Sequence, residues 1–177
     1  MKKRNSTKKA VLYLAQAGLI ASLYVVLTAL ANAMGLANYP IQLRFSEALC
    51  VLPMFTPAAI PGLFVGCLIA NLTGGCPWQD VVFGSLATLA GAVGTYLIGR
   101  VLGNASRPRL GAVLAGLPAV LANTLIIPPV LKYAYSLPDN VWYFYLTVCV
   151  GELLSAWALG ALVYVALYKR RKKIFLG

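Results

Sequence analysis

Glu47, Asp80 and Glu152 are three of only four acidic residues in the chain, and each lies within or at the edge of a long apolar stretch. A carboxylate in such surroundings needs a partner, which makes each one a candidate for ligand binding or proton transfer. Glu47 sits in Gln42-Leu-Arg-Phe-Ser-Glu-Ala, three residues after Arg44 and on the same helical face. A pair so placed could be structural or could hold a polar ligand. Glu152, in Gly151-Glu-Leu-Leu-Ser155, has no cation close in sequence, since the nearest lysine is Lys169. Asp80 follows Cys-Pro-Trp-Gln and could equally cap a helix.

Other chemistries lose their usual parts. The chain has no histidine and no CxxC, and Cys50, Cys67 and Cys149 fall inside apolar runs, so neither a zinc site nor a catalytic dyad is expected. No cofactor is expected, and no phosphate loop of the GxxxxGK[ST] type is present, so this chain does not itself hydrolyse ATP.

With 60% hydrophobic residues and a mean hydropathy of +0.80, the elements that must position these acids are membrane helices. Five apolar blocks cover residues 10 to 34, 41 to 73, 81 to 103, 110 to 131 and 141 to 168. The first resembles a secretory signal ending in Ala31-Asn-Ala33, but its length predicts a retained helix. The second is too long for one span of about 20 residues. Its Pro57-Ala-Ala-Ile-Pro-Gly62 predicts a reversal between two short helices.

The expected fold is therefore an all-α integral membrane protein, residues 1 to 177 forming a single domain of six transmembrane helices with both termini cytoplasmic. Charge supports the even number of spans. Six crossings place every Lys and Arg except Arg44 and Lys132 on the cytoplasmic side, among anionic lipid headgroups. The same pattern explains the net charge of +11 without nucleic acid.

In this topology Arg44, Glu47, Asn71 and Asp80 occupy the outer third of the membrane, with Asn123 and Glu152 about 15 Å inward. These polar groups converge from five helices, either as interhelical glue or as a pocket. Tyr39, Trp78, Tyr133, Tyr135, Trp142, Tyr143 and Tyr145 crowd the same rim, largely as an interfacial belt. Trp142 and Tyr145 are the aromatic binding candidates. Tyr145 precedes Glu152 by two helical turns and could stack on a flat ring. Small residues Ala17 and Ala21 on the first helix could serve internal packing or a partner protein, as could Gly99 with Gly103 on the fourth for internal packing.

The segment Leu43-Arg-Phe-Ser-Glu-Ala-Leu-Cys-Val-Leu-Pro, continuing through Phe55-Thr-Pro-Ala-Ala-Ile-Pro-Gly to Asn71 and then Asp80-Val-Val-Phe-Gly-Ser-Leu-Ala-Thr88, resembles the QueT family. These are substrate-binding S components of bacterial energy-coupling factor vitamin transporters. The resemblance implies a six-helix S component in the bacterial cytoplasmic membrane, and a queuosine precursor as cargo, such as 7-aminomethyl-7-deazaguanine or queuine. It also implies partners: a transmembrane coupling subunit, docking on Ala17 and Ala21, and two ATPase subunits. A carboxylate suits the paired N–H donors of a guanine-like edge, and a second would match an aminomethyl cation. The expected ligand site is Arg44, Glu47, Asn71, Asp80, Asn123, Trp142, Tyr145 and Glu152. Rival readings are a solitary proton-coupled carrier, an S component for a different small vitamin, an intramembrane carboxylate enzyme and a purely structural bundle.

Overall fold

A computed structural model describes residues 2–36, 43–102 and 108–175. Tyr39, Gln42, Gly103 and Arg107 lie outside the described residues, as do the side chains of Lys2, Lys3, Arg4 and Lys172. Within them the chain is all-helical, without strands. Helix α1 covers Lys2–Ala33; a 3-10 helix, Phe45–Met54, is followed by α2, Ala59–Thr73, and α3, Trp78–Val101. Then come α4, Pro108–Leu114, α5, Leu117–Tyr133, and α6, Val141–Glu152. A π-helical segment, Leu153–Leu159, leads into α7, Gly160–Tyr168, and a short α8, Arg171–Ile174.

Four helical stretches are long and apolar enough to cross a membrane: Thr7–Ala33, Trp78–Val101, Arg109–Tyr133 and Val141–Tyr168. The long second block breaks at Phe55–Ala58, and its halves, Phe45–Met54 and Ala59–Thr73, are shorter apolar helices. Pro61 is tolerated in α2 because it falls in the first turn, where its missing N–H has no intrahelical role.

The first half is wound as a 3-10 helix rather than as the ordinary helix expected. At about 2.0 Å rise per residue its 10 residues reach about 20 Å, further than an α-helix of equal length. It runs through the middle of the bundle against α1, α2, α3, α7 and the π segment, with every residue from Ser46 to Met54 buried. Lipid therefore never meets this irregular backbone. In 3-10 winding, side chains three apart eclipse, so Glu47, Cys50 and Pro53 form one row.

The fourth block is not continuous either: α4 and α5 are separated at Ala115–Gly116. The carbonyls left over are taken up by side chains, Thr95 Oγ1 donating to Ala115 O at 2.9 Å and Trp157 Nε1 to Val113 O at 2.8 Å. Gly116 is required there because a Cβ would stand 2.5 Å from Ala156 O.

The first helix packs on α2 through glycines. A Cβ at Gly62 would lie 2.8 Å from Ala17 O, and one at Gly66 3.0 Å from Ala21 O and 2.7 Å from Tyr24 Cβ. Ala17 is half-buried and Ala21 buried. The stripe expected to be open to a partner is thus largely covered by α2. Its close approach delivers Tyr24, fully buried, to the centre of the bundle.

Candidate functional site

Three helices each contribute a pair of residues four apart, hence one above the other on a helix face, to a narrow cleft. They are Gly84 and Thr88 from α3, Asn123 and Ile127 from α5, and Val148 and Glu152 from α6. Arg44 and Glu47, at the start of the 3-10 helix, close the fourth side. The cleft is tight, with a cavity volume of about 20 Å³, room for about one water molecule.

Both departures from α geometry border this cleft. Glu47 lies on the 3-10 helix, and Glu152 is the last residue before the π segment. The two irregular segments touch, and Arg44 N–H donates to Ser155 Oγ at 3.2 Å, tying the start of one to the middle of the other. The wider π turn lets α6 present Glu152 inward while Ser155 reaches Arg44.

The acids stand in unequal surroundings. Glu47 is 2% exposed, and each of its oxygens accepts a neutral donor: Tyr24 Oη to Oε1 at 2.5 Å and Cys50 Sγ to Oε2 at 3.1 Å. The expected Arg44–Glu47 pair is not what forms. Among the described residues the one ion pair joins Arg44 Nη2 to Asp80 Oδ2, at 3.9 Å. The reason is the extended backbone of Arg44 at the helix start, which turns its side chain toward α3.

Asp80 does not cap α3, whose N-cap position is Pro77. Its Oδ2 accepts the Tyr135 hydroxyl at 2.7 Å, while its Oδ1 is buried without a hydrogen-bond partner. Asn71 Nδ2 donates weakly to Asp80 O at 3.4 Å and to Cys67 Sγ at 3.6 Å. Asn71 and Asp80 thus sit behind Gly84, bordering the cleft rather than lining it. Glu152 faces the Asn123 side chain, and its Oε2 is buried with no hydrogen-bond partner.

Of the residues expected at the site, Arg44, Glu47, Asn123 and Glu152 line one cleft, and Asn71 and Asp80 adjoin it. Trp142 and Tyr145 do not line it. Their rings lie against each other at 5.6 Å, with Trp142 73% exposed. The α6 wall one turn before Glu152 is Val148, and Tyr145, two turns before it, lies outside the lining.

Sequence reasoning missed Tyr24 and Tyr135 as partners of the acids, and Gly84, Thr88, Ile127 and Val148 as walls. A signal was present for the walls: each lies four residues from another lining residue on its helix. Tyr135 belongs to the connection between α5 and α6, which Lys132 braces by donating to Leu137 O, Pro138 O and Asp139 O at 3.0, 3.3 and 2.9 Å. Burial, and next the hydrogen bond to Asp80, raise the phenol's pKa, so Tyr135 remains a donor at neutral pH. Tyr135→Phe is expected to remove this clasp, loosening the connection. Faster ligand release, by roughly tenfold for one hydrogen bond to a charged group, is the anticipated result in stopped-flow or surface-binding kinetics.

The family model described as "QueT transporter" matches residues 14–169. The chain is similar to a "Queuosine precursor transporter QueT" of Lactococcus lactis subsp. cremoris (strain MG1363), 37% identical over 71 residues. That alignment covers 40% of this chain and 41% of the relative, well under two thirds of its length. No solved structure matches. The family match takes in every helix that contributes to the cleft, and the chain belongs to the QueT transporter family.

Proposed function

We propose that the chain is the membrane-embedded substrate-binding subunit of an energy-coupling importer, capturing a queuosine precursor of the deazaguanine class from outside the cell. The observation that carries this reading is the pairing of Glu152 with Asn123 in a cleft that sets Arg44, Glu47 and Thr88 beside the apolar Gly84, Ile127 and Val148. A guanine-like edge offers a carbonyl oxygen beside two N–H donors. Asn123 can donate to the first, and Glu152, whose Oε2 lacks a partner, can accept from the others. Gly84, Ile127 and Val148 supply the apolar part of the wall, on which the ring faces pack as the cleft widens around the ligand.

In this reading the chain crosses a bacterial cytoplasmic membrane six times with both termini inside. The 3-10 helix and α2 form the second and third crossings, the 3-10 helix buried among the helices around it and α2 turning Val65, Ile69 and Leu72 outward. The cleft then opens at the outer face, where the Thr73–Trp78 and Tyr133–Val141 connections lie. Because the sequence has no phosphate loop, energy comes from two ATPase subunits acting through a transmembrane coupling subunit.

Buried carboxylates also favour a second reading, a solitary proton-coupled carrier. Uptake assays separate the two. Deazaguanine accumulation that requires the ATPase subunits supports the importer, and accumulation that persists without them and collapses with the proton gradient supports the carrier. Calorimetric titration of the purified protein tests the cargo. Binding of deazaguanines in preference to thiamine, riboflavin and biotin is expected, and preference for one of those vitamins would overturn the assignment.

A further inference from the structure

The lining of the cleft falls into two levels. On one flank a Cβ at Gly84 would lie 3.9 Å from Ile127 Cδ1, and one at Gly91 2.8 Å from Ala119 Cα, so α3 and α5 run antiparallel. Thr88, one turn beyond Gly84, therefore stands level with Asn123, one turn before Ile127. On the other flank Ile127 and Leu131 pack with Val148 and Phe144 of α6, and Glu152 meets the Asn123 side chain. Gly84, Ile127 and Val148 thus make an apolar level toward the α5–α6 connection, and Thr88, Asn123 and Glu152 a polar level one turn deeper.

Packing also sets the order within the polar level. Both α3 and α6 lie against α5, so Asn123 stands between Thr88 and Glu152 in a row across three helices. The fourth side offers a ligand little: both oxygens of Glu47 are taken by Tyr24 and Cys50, and Arg44 is paired with Asp80. Thr88 is 1% exposed, and its hydroxyl has the Cys67 thiol of α2 as a hydrogen-bonding neighbour. A thiol is a weak partner, so a ligand group arriving at Thr88 displaces little.

A deazaguanine presents its polar groups in a row as well: the 2-amino group, the N1–H, the 6-carbonyl and, beside that carbonyl, the substituent at position 7. With Glu152 on the N–H groups and Asn123 on the carbonyl, the next wall group along the row is Thr88. We infer that the Thr88 hydroxyl is the contact for the 7-substituent, which makes Thr88 a specificity-determining residue of the cleft. The inference rests on the deazaguanine reading above. A hydroxyl donates one hydrogen and accepts through two lone pairs, and its hydrogen turns to suit the partner. It serves an aminomethyl group as acceptor and a cyano group as donor, recognising a polar substituent without choosing its charge.

The test is titration of the purified chain, and of its Thr88→Val and Thr88→Ser variants, with 7-aminomethyl-7-deazaguanine, 7-cyano-7-deazaguanine and unsubstituted 7-deazaguanine. Valine keeps the branch at Cβ and removes the hydroxyl. Thr88→Val is expected to bind both substituted compounds at least about fivefold more weakly than the wild type, one hydrogen bond's worth of affinity. The unsubstituted compound should bind that variant within about twofold of the wild type, which also shows the cleft to be intact. Thr88→Ser, which keeps the hydroxyl, is expected to hold all three compounds within about twofold of the wild type. A loss in Thr88→Val shared equally by the three compounds, or no loss for any, would overturn the role of Thr88 and leave the deazaguanine reading standing. Failure of all three compounds to bind the wild type would overturn both.

Discussion

Replacing Glu152 by glutamine is expected to weaken deazaguanine binding by about 100-fold, roughly 3 kcal/mol for the loss of one hydrogen bond to a charged acceptor and of the charge assistance on the second. The amide keeps the shape of the side chain but presents one acceptor instead of two, so it cannot take both N–H groups of a guanine-like edge. Stability should move little, or rise. Glu152 has no ion-pair partner among the described residues, and Oε2 has no hydrogen bond to lose. Tyr143→Ala provides the contrast, since Tyr143 is exposed and outside the cleft, and its binding constant should match the wild type. Isothermal titration of the two variants separates a ligand contact from a general defect. Equal affinity of Glu152→Gln and wild type would remove Glu152 from the binding site.

The largest structural effect is expected at Gly116. A Cβ there would stand 2.5 Å from Ala156 O and 2.8 Å from Trp157 Cα, both backbone atoms of the π segment. Neither can swing aside as a flexible side chain would. Gly116→Val must therefore push the α4–α5 break away from the π segment, at about 1–3 kcal/mol or more. Thermal unfolding in detergent should show a fall of roughly 5 °C. Ligand affinity should fall with it, because the displaced segment carries Ser155, which holds Arg44, and directly follows Glu152. Gly18→Ala is the matched control: a Cβ at Gly18 meets nothing within 4 Å, so the change should leave the melting temperature the same or slightly higher. An unaltered Gly116→Val protein would show that this approach is not needed.

These two residues also mark what the chain discloses before folding. The scarcity of acids in an apolar sequence pointed to Glu47, Asp80, Asn123 and Glu152 as neighbours, because a buried carboxylate narrows its own possible surroundings. The break in the second block was legible from Pro57 and Pro61. The winding of the segments was not. Whether Phe45–Met54 coils as a 3-10 or an α-helix is settled by what surrounds it on every side, and hydropathy is blind to that. The same holds for the π segment after Glu152, which is as apolar as the helices flanking it.

Partner choice was the other illegible element. Arg44 and Glu47 are three apart, which on an ordinary helix suggests a pair, yet the extended backbone at Arg44 sends the guanidinium to Asp80. Glu47 is then served by Tyr24, which the glycine-lined contact of α1 with α2 brings in from 23 residues away. Helical arithmetic points Tyr145 at the site, two turns before Glu152, and Trp142 shares the aromatic rim with it. Both fall outside the cleft, whose α6 wall is Val148 and Glu152, and their rings lie against each other instead.

The central claim is that the acidic cleft holds a deazaguanine, and identification of the ligand that accompanies the protein tests it most directly. The chain would be purified from cells supplied with queuosine precursors, denatured, and its released small molecules analysed by mass spectrometry. A deazaguanine in near-stoichiometric amount from the wild type, and its absence from Glu152→Gln, is the predicted result. A different vitamin at that stoichiometry, from a protein that shows no affinity for deazaguanines on titration, would contradict it.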